Sequence, residues 1–289
     1  MFCLKNLYIT EELINSDKTR EFKEDMDNSF NVCVVPNSIE EFRAFAKEET
    51  ELTGDSMLLS SNSEILNFAR AIGIAALPCA ENNLDDYVGY EFALQEYADM
   101  DADYIDKSYR RLRDIPWEIL RTERMIIREE TEDDLPELYK IYESEHIKRF
   151  IEPLLPDIEA EKEYVRKYRN YIYKMYEFGI WIAEDKDTHE IIGRMGLEPK
   201  TYEDNVEGVE LGYIVGEKFL RKGYCMEGCR AILKYAKDVL NLPEIYVIIR
   251  TENVISQEIA EKLGFGYDTL IIDRNRIMKR YKIAFNDGI

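Results

Sequence analysis

The chain has 289 residues, 45% of them hydrophobic, and a formal charge of -21, which allows two ordinary domains or one large one with well-filled cores. Residues 1–120 hold 11 Lys and Arg against 25 Asp and Glu, so most of the negative charge lies in that part. Such a surface repels nucleic acid and anionic membranes, favours solubility and draws cationic substrates.

From the N-terminus, short apolar runs alternate with helix-like segments. Leu7-Tyr8-Ile9 reads as a strand, and Asn31 to Val35 as a second, closed by Pro36. Ser38 reads as the N-cap of a helix with Ile39, Phe42, Phe45 and Ala46 on one face. Ser56 to Ser60 predicts a buried strand, Ser63 to Ile72 a helix stopped at Gly73, and Ile74 to Leu77 another strand. Strands separated by helices in this way predict parallel βαβ units, hence an α/β domain over residues 1–120. Glu91 to Glu96 predicts one more strand and Tyr104 to Leu112 a closing helix. Ile115-Pro116-Trp117-Glu118 then breaks the pattern, because proline disfavours helix at the residue before it. The boundary is placed near residue 121, with Trp117 expected to pack between the two domains.

The order of these elements resembles the HAD-like phosphatase fold, in which a strand ending in Ser or Thr helps to hold phosphate, as Ser60 or Ser61 would here. Those enzymes need a nucleophilic Asp at the end of the first strand, where this chain runs Thr10-Glu11. Asp85-Asp86, after Asn82-Asn83, sits in a loop-like stretch. Without the nucleophile phosphoryl transfer has no first step, so the domain is expected to be non-catalytic. Ser60 and Ser61 are equally read as strand-end caps.

A second series begins at Arg124 and defines a domain over residues 121–289. Met125 to Arg128 is a strand, and Thr131-Glu132-Asp133-Asp134 opens a helix whose acids suit the dipole, with Leu135, Leu138 and Tyr142 apolar. Tyr164, Val165, Tyr168, Ile172, Met175 and Phe178 step at helical spacing toward Gly179, mainly as core. Trp181 to Glu184 and Ile191 to Leu197 predict a hairpin around Asp185 to His189. Farther on, Ile245 to Ile249 is a strand, a helix starts near Asn253, and Ile277 to Ile283 is the last strand.

The organising stretch runs from Gly208 to Leu240. Val209, Leu211, Tyr213 and Val215 alternate as in a strand, and Cys229, Ile232, Leu233, Ala236, Val239 and Leu240 mark one helix face. Between them, Arg221-Lys222-Gly223-Tyr224-Cys225 reads as an anion cradle: two cations, a glycine permitting close approach, and the unpaired amides of a helix start. This stretch resembles the acetyl-CoA-binding core of the GNAT N-acetyltransferases, and is most similar to the branch acetylating protein N-termini, including those of ribosomal proteins. Leu220 stands where that family carries Arg or Gln, and Cys225 where it carries Gly or Ala. The opening Thr131-x-x-Asp134-Leu135 and the ending Asn253-x-x-Ser256 with Leu263-Gly264-Phe265 extend the resemblance over roughly residues 124–285.

The resemblance implies an α+β GNAT domain behind a smaller N-terminal domain with a parallel sheet, and acetyl-CoA as co-substrate. It implies that backbone groups of Tyr213, Ile214 and Val215 pair with the pantetheine arm. Amides of Arg221, Lys222, Gly223, Tyr224 and Cys225 would hold the pyrophosphate, and Asn253 with Ser256 would touch the pantetheine chain, Asn253 also reading as a helix cap. Glu210 is the expected general base, its carboxyl raised by partial burial. The family's acidic Tyr is Ala260 here, which leaves Tyr267, Tyr213 or water for the leaving thiolate. The acceptor would be a small-molecule amine or a protein N-terminus, with a homodimer left open. A weakly catalytic acyl-CoA sensor and a phosphatase in residues 1–120 are the alternatives. Cysteines at 3, 33, 79, 225 and 229 form no CxxC pair and fit reduced thiols; His146 and His189 give no zinc spacing, so no metal is expected. No export signal and no apolar run of about 18 residues is found, so a cytoplasmic protein without nucleic-acid or membrane partners is expected.

Overall fold

The structure is a computed structural model and describes residues 2–49, 54–79, 87, 89–90 and 92–285. It divides into two units, Met1–Trp117 and Glu118–Ile289, each taken by itself.

In the first unit β1 (Asn6–Thr10), α1 (Asp17–Asp27), β2 (Asn31–Val35), α2 (Ile39–Glu48), β3 (Ser56–Ser60), α3 (Ser63–Ala71), β4 (Ala75–Pro78) and α4 (Ala102–Leu112) follow one another. The four strands pair in parallel in the order β2-β1-β3-β4, so the winding reverses between β1 and β3. Alternate side chains of β1 and β3 feed two cores, as the strand period requires. Leu7, Ile9, Met57 and Leu59 pack with Phe22 and Met26 of α1, while Tyr8 and Leu58 pack with Phe42 of α2.

Helix α1 escaped the sequence reading. Its capping box pairs Ser16 with Thr19, where the familiar signature has Glu or Gln at the third helical position. Of the strand expected from Glu91 to Glu96, Glu91 lies outside the described residues and Leu94 forms only an isolated parallel bridge to Cys79. Asn82-Asn83 and Asp85-Asp86 also lie outside them. Trp117, at the end of the first unit, is buried and packs on α4. Its indole N–H donates to the Lys107 carbonyl at 2.9 Å, and the Arg111 guanidinium lies 4.0 Å from the ring centre. The chain turns back there through Ile115, whose amide donates to the Arg110 carbonyl.

The second unit holds β5 (Glu118–Arg121), β6 (Met125–Arg128), α5 (Leu135–Tyr142), α6 (Glu145–Lys148), α7 (Ile158–Tyr168), α8 (Lys174–Tyr176), β7 (Ile180–Asp185), β8 (Ile191–Thr201), β9 (Glu207–Val215), α9 (Tyr224–Asp238), β10 (Glu244–Arg250), α10 (Val254–Lys262), β11 (Gly266–Asp273) and β12 (Arg276–Ala284). They build one eight-stranded sheet in the order β11-β12-β10-β9-β8-β7-β6-β5, antiparallel at every pairing except β9 with β10. Strand β5 begins at Glu118, inside the stretch that sequence assigned to the first domain.

A π turn at Arg169–Tyr173 joins α7 to α8 and changes which side chains face inward. Val165, Tyr168 and Phe178 of the expected stripe are buried, but Met175 is 75% exposed and Tyr173 takes the interior place. Helix α9 presses on β8 so closely that a Cβ at Gly228 would stand 2.2 Å from the Met195 sulfur. Cys229, Ile232, Leu233 and Ala236 form its buried face; Val239, expected there too, lies past the helix end and is exposed.

Candidate active site

The parallel strands β9 and β10 meet in register only at Glu210 and Tyr246, and beyond that pair they diverge. On its other side β9 stays paired with β8 through Val215 opposite Gly193. The stretch from Leu211 to Val215 therefore turns one main-chain edge toward a gap in the sheet. At the mouth of the gap is a cleft of about 300 Å³ whose lining includes Glu198, Lys200, Glu210, Tyr213, Asn253 and Ser256.

The side chain of Glu210 is 19% exposed. Burial is the largest influence on its carboxyl and pushes it up to about 7, with Glu198 and Asp273 adding in the same direction and Lys200 opposing them. The register explains this. Glu198 stands directly across the β8–β9 ladder, so two carboxylates share one face. Lys200 Nζ is divided between Glu210 at 3.8 Å and Asp273 at 3.4 Å, and the Tyr202 hydroxyl donates to Glu210 across 3.5 Å. None of these contacts is short enough to hold the carboxylate strongly ionised, and the result is an acid near neutrality. Such a group can take a proton from an ammonium and return it to water.

Tyr213 lines the same cleft, and burial pushes its phenol well up, so it stays protonated. Its hydroxyl donates to the Ser256 carbonyl at 3.1 Å. The Asn253 side chain accepts from the Ser256 amide at 3.2 Å and caps α10. Tyr267 stands elsewhere, 57% exposed on β11 and edge-on to Tyr281, while Ala260 is buried. Ile214 and Val215 continue β9 beyond the cleft lining, and the Val215 carbonyl lies 3.2 Å from His146 Nε2.

The turn from Arg221 to Gly223 is exposed and leads into α9. Gly223 holds φ +88° and Arg221 φ +59°, both left-handed, which is costly for an arginine and free for a glycine. Gly223 caps α9 with no side chain, and the first intrahelical bond runs from the Glu227 amide to the Gly223 carbonyl. The amides of Tyr224, Cys225 and Met226 thus precede the helical ladder at its positive end.

Sequence reasoning missed the clamp on this turn. Arg124, just before β6, donates through Nη1 to the Lys222 carbonyl at 2.9 Å and through Nε to Glu227 at 2.7 Å. Its guanidinium lies 4.2 Å from the Tyr224 ring centre, and Thr122 also donates to Glu227. Arg124 and Glu227 are 103 residues apart in the chain, so no local pattern announces the pair. Arg124→Ala is expected to raise the KM for acetyl-CoA about tenfold while leaving kcat near wild type, because the turn loosens and the chemistry at Glu210 does not change. Steady-state kinetics with varied acetyl-CoA checks this; a fall in kcat at constant KM would contradict it.

A larger cleft of about 840 Å³, lined by α5, the start of β8 and the turn after β9, has Asp133, Glu137, Glu143, Glu190 and Glu217 among its walls and none of the residues expected to bind the cofactor or to act as base. No group of three or more His, Cys, Asp or Glu placed to hold a metal occurs among the described residues. Nor is any helix among them long and apolar enough to cross a membrane.

Residues 124–266 match the family model described as the acetyltransferase (GNAT) domain. This stretch of the chain belongs to that family. The uncharacterized protein YkkB of Bacillus subtilis is 33% identical over 109 residues, which span 38% of this chain and 63% of that protein. The uncharacterized N-acetyltransferase YoaA of the same organism is 24% identical over 149 residues, 51% of this chain and 82% of its own. Among solved structures, the spermidine N-acetyltransferase of Vibrio cholerae in complex with CoA and spermine is 21% identical, with a TM-score of 0.46, covering 55% of this chain and 95% of that one.

Proposed function

We propose that the second unit transfers an acetyl group from acetyl-CoA to a primary amine. The observation that carries the reading is a carboxyl poised at about 7, Glu210, on the strand that leads from an open gap in the sheet to an amide-rich turn. In this reading the turn from Arg221 to Cys225 grips the pyrophosphate, the free edge of β9 at Tyr213 to Val215 pairs with the pantetheine arm, and Asn253 and Ser256 face that arm from α10.

The ammonium of the acceptor gives a proton to Glu210, directly or through a water. The neutral nitrogen attacks the thioester carbon, the C–N bond forms, the nitrogen sheds its second proton to water, the C–S bond breaks, and the thiolate leaves with a proton from solvent. The Tyr213 hydroxyl is already turned to the Ser256 carbonyl, which favours water as the acid. Glu198 and Asp273 beside Glu210 suit a cationic acceptor, whether a polyamine or a peptide N-terminus.

The test is thiol release from acetyl-CoA against a panel of polyamines, amino acids and short peptides. Saturable release with one N-acetyl product per thiol is expected for at least one acceptor class. Calorimetric binding of acetyl-CoA with no release from any acceptor would leave a binding protein and overturn the transferase.

A further inference from the structure

The cleft beside Glu210 carries more charge than the transferase reading uses, and that charge is divided into two groups. In the first, the carboxyls of Glu198, Glu210 and Asp273 outnumber the one cation, Lys200. In the second, Arg250, Arg274 and Arg276 outnumber the one acid, Glu152. Glu152 is already shared, lying 2.7 Å from Arg276 and 3.8 Å from Arg250. Arg250 also donates to the Arg149 carbonyl at 2.8 Å. Arg274, exposed on the cleft wall, has no hydrogen-bond or ion-pair partner among the described residues. The two groups meet in the turn between β11 and β12, where Asp273 belongs to one and its neighbour Arg274 to the other.

That turn is unusual for its sequence. Asp273 pairs with Arg276, which leaves Arg274 and Asn275 as a two-residue loop with φ of +47° and +60°. Hairpins with two left-handed positions favour Asn or Gly at both. Asn275 meets the preference, whereas Arg274 holds a guanidinium at the cleft against its backbone preference. A polyamine would bring its second ammonium against these surplus cations. A peptide N-terminus would present a neutral amide where the free guanidinium stands. We propose that the acceptor is a small amino acid, its ammonium received among Glu198, Glu210 and Asp273 and its carboxylate by Arg274. The planar fork of an arginine matches a carboxylate through two parallel hydrogen bonds. Both groups line one cleft of about 300 Å³, the scale of a small molecule. No residue from Arg221 to Cys225 is among its walls, so Arg274 stands apart from the turn assigned to the pyrophosphate. The inference rests on the transferase reading and narrows its acceptor; the chemistry at the nitrogen is the same.

The test measures thiol release from acetyl-CoA by the full chain with α- and ω-amino acids, each against its own amide, and with spermidine and an uncharged-side-chain peptide amide alongside. For at least one amino acid, kcat/KM is expected to exceed that of its amide, of spermidine and of the peptide by about tenfold or more, the range set by a lost charge-assisted contact. Arg274→Asn then isolates the recognition. Asparagine suits the left-handed position better than arginine does, so the melting temperature is expected at or above that of wild type. The acid-to-amide ratio should nevertheless fall about tenfold, through the KM of the acid. Because the ratio compares two acceptors on one variant, any general loss of activity cancels. Amides or spermidine accepted as well as the acids would overturn the proposal and leave the transferase intact. An unchanged ratio in Arg274→Asn would overturn it too, as would a rise in the KM for acetyl-CoA in place of the acceptor's, which would assign the arginine to the cofactor. Absence of release from every acceptor would remove the transferase reading and this proposal together.

Discussion

Replacing Glu210 by glutamine is expected to lower kcat for amine acetylation by roughly two to four orders of magnitude, the range that a positioned general base supplies. The glutamine keeps the shape and loses the proton acceptor. Because the wild-type carboxyl sits at about 7, kcat/KM should climb with pH until the group is ionised and then level off. In Glu210→Gln that limb should vanish while the KM for acetyl-CoA stays near wild type. A limb that survives unchanged would place the base elsewhere.

The same residue makes an opposite prediction for stability. The folded carboxyl lies at about 7, above its ordinary value of 4.5, so folding favours the protonated form. Its contribution is fully present below the unfolded value and is lost as pH rises through the folded one. Above neutrality the fold carries a carboxylate that its surroundings disfavour. Glu210→Gln should therefore melt higher than wild type in alkaline buffer, with the gap closing as pH falls. Activity and stability would move in opposite directions, as expected of a strained functional group.

How far sequence reaches can be read from particular segments. Strands β2 and β3 coincide with the expected spans, because a short apolar run bounded by proline or by serine leaves few alternatives. Strand β11 was not foreseen: Tyr267, Leu270 and Ile272 are exposed on an edge, and its pattern lacks the buried alternation that announces a strand. The position of Glu210 on β9 was legible, as was the glycine turn before α9. The rise of the Glu210 carboxyl through burial was expected as well, but the charged neighbours that tune it were not, since Glu198, Lys200 and Asp273 come from β8 and β11. Arg124 shows the same limit. A residue that acts by holding a distant turn leaves no periodicity behind it.

Arg194→Met should cost about 3–5 kcal/mol of stability, the penalty for breaking a buried ion pair from one side. Arg194 lies on β8 with its side chain 13% exposed, and its guanidinium meets Glu130 at 2.8 Å, whose own side chain is 3% exposed. It also donates to the Tyr142 hydroxyl at 3.2 Å, tying α5 to the sheet. Burial already pushes the Glu130 carboxyl up despite the arginine beside it. With the arginine gone the main opposition to burial is removed, and the carboxyl rises further. The sign follows: a raised folded value gives stability below the unfolded value that is lost as pH climbs, so the deficit of Arg194→Met should widen from mildly acidic to neutral buffer. Urea unfolding across that range measures it. Adding Glu130→Gln should recover much of the loss, since the uncompensated charge rather than the missing contact dominates. If the double variant is as unstable as the single one, the cost lies in packing around β8, and the ion pair is incidental to it.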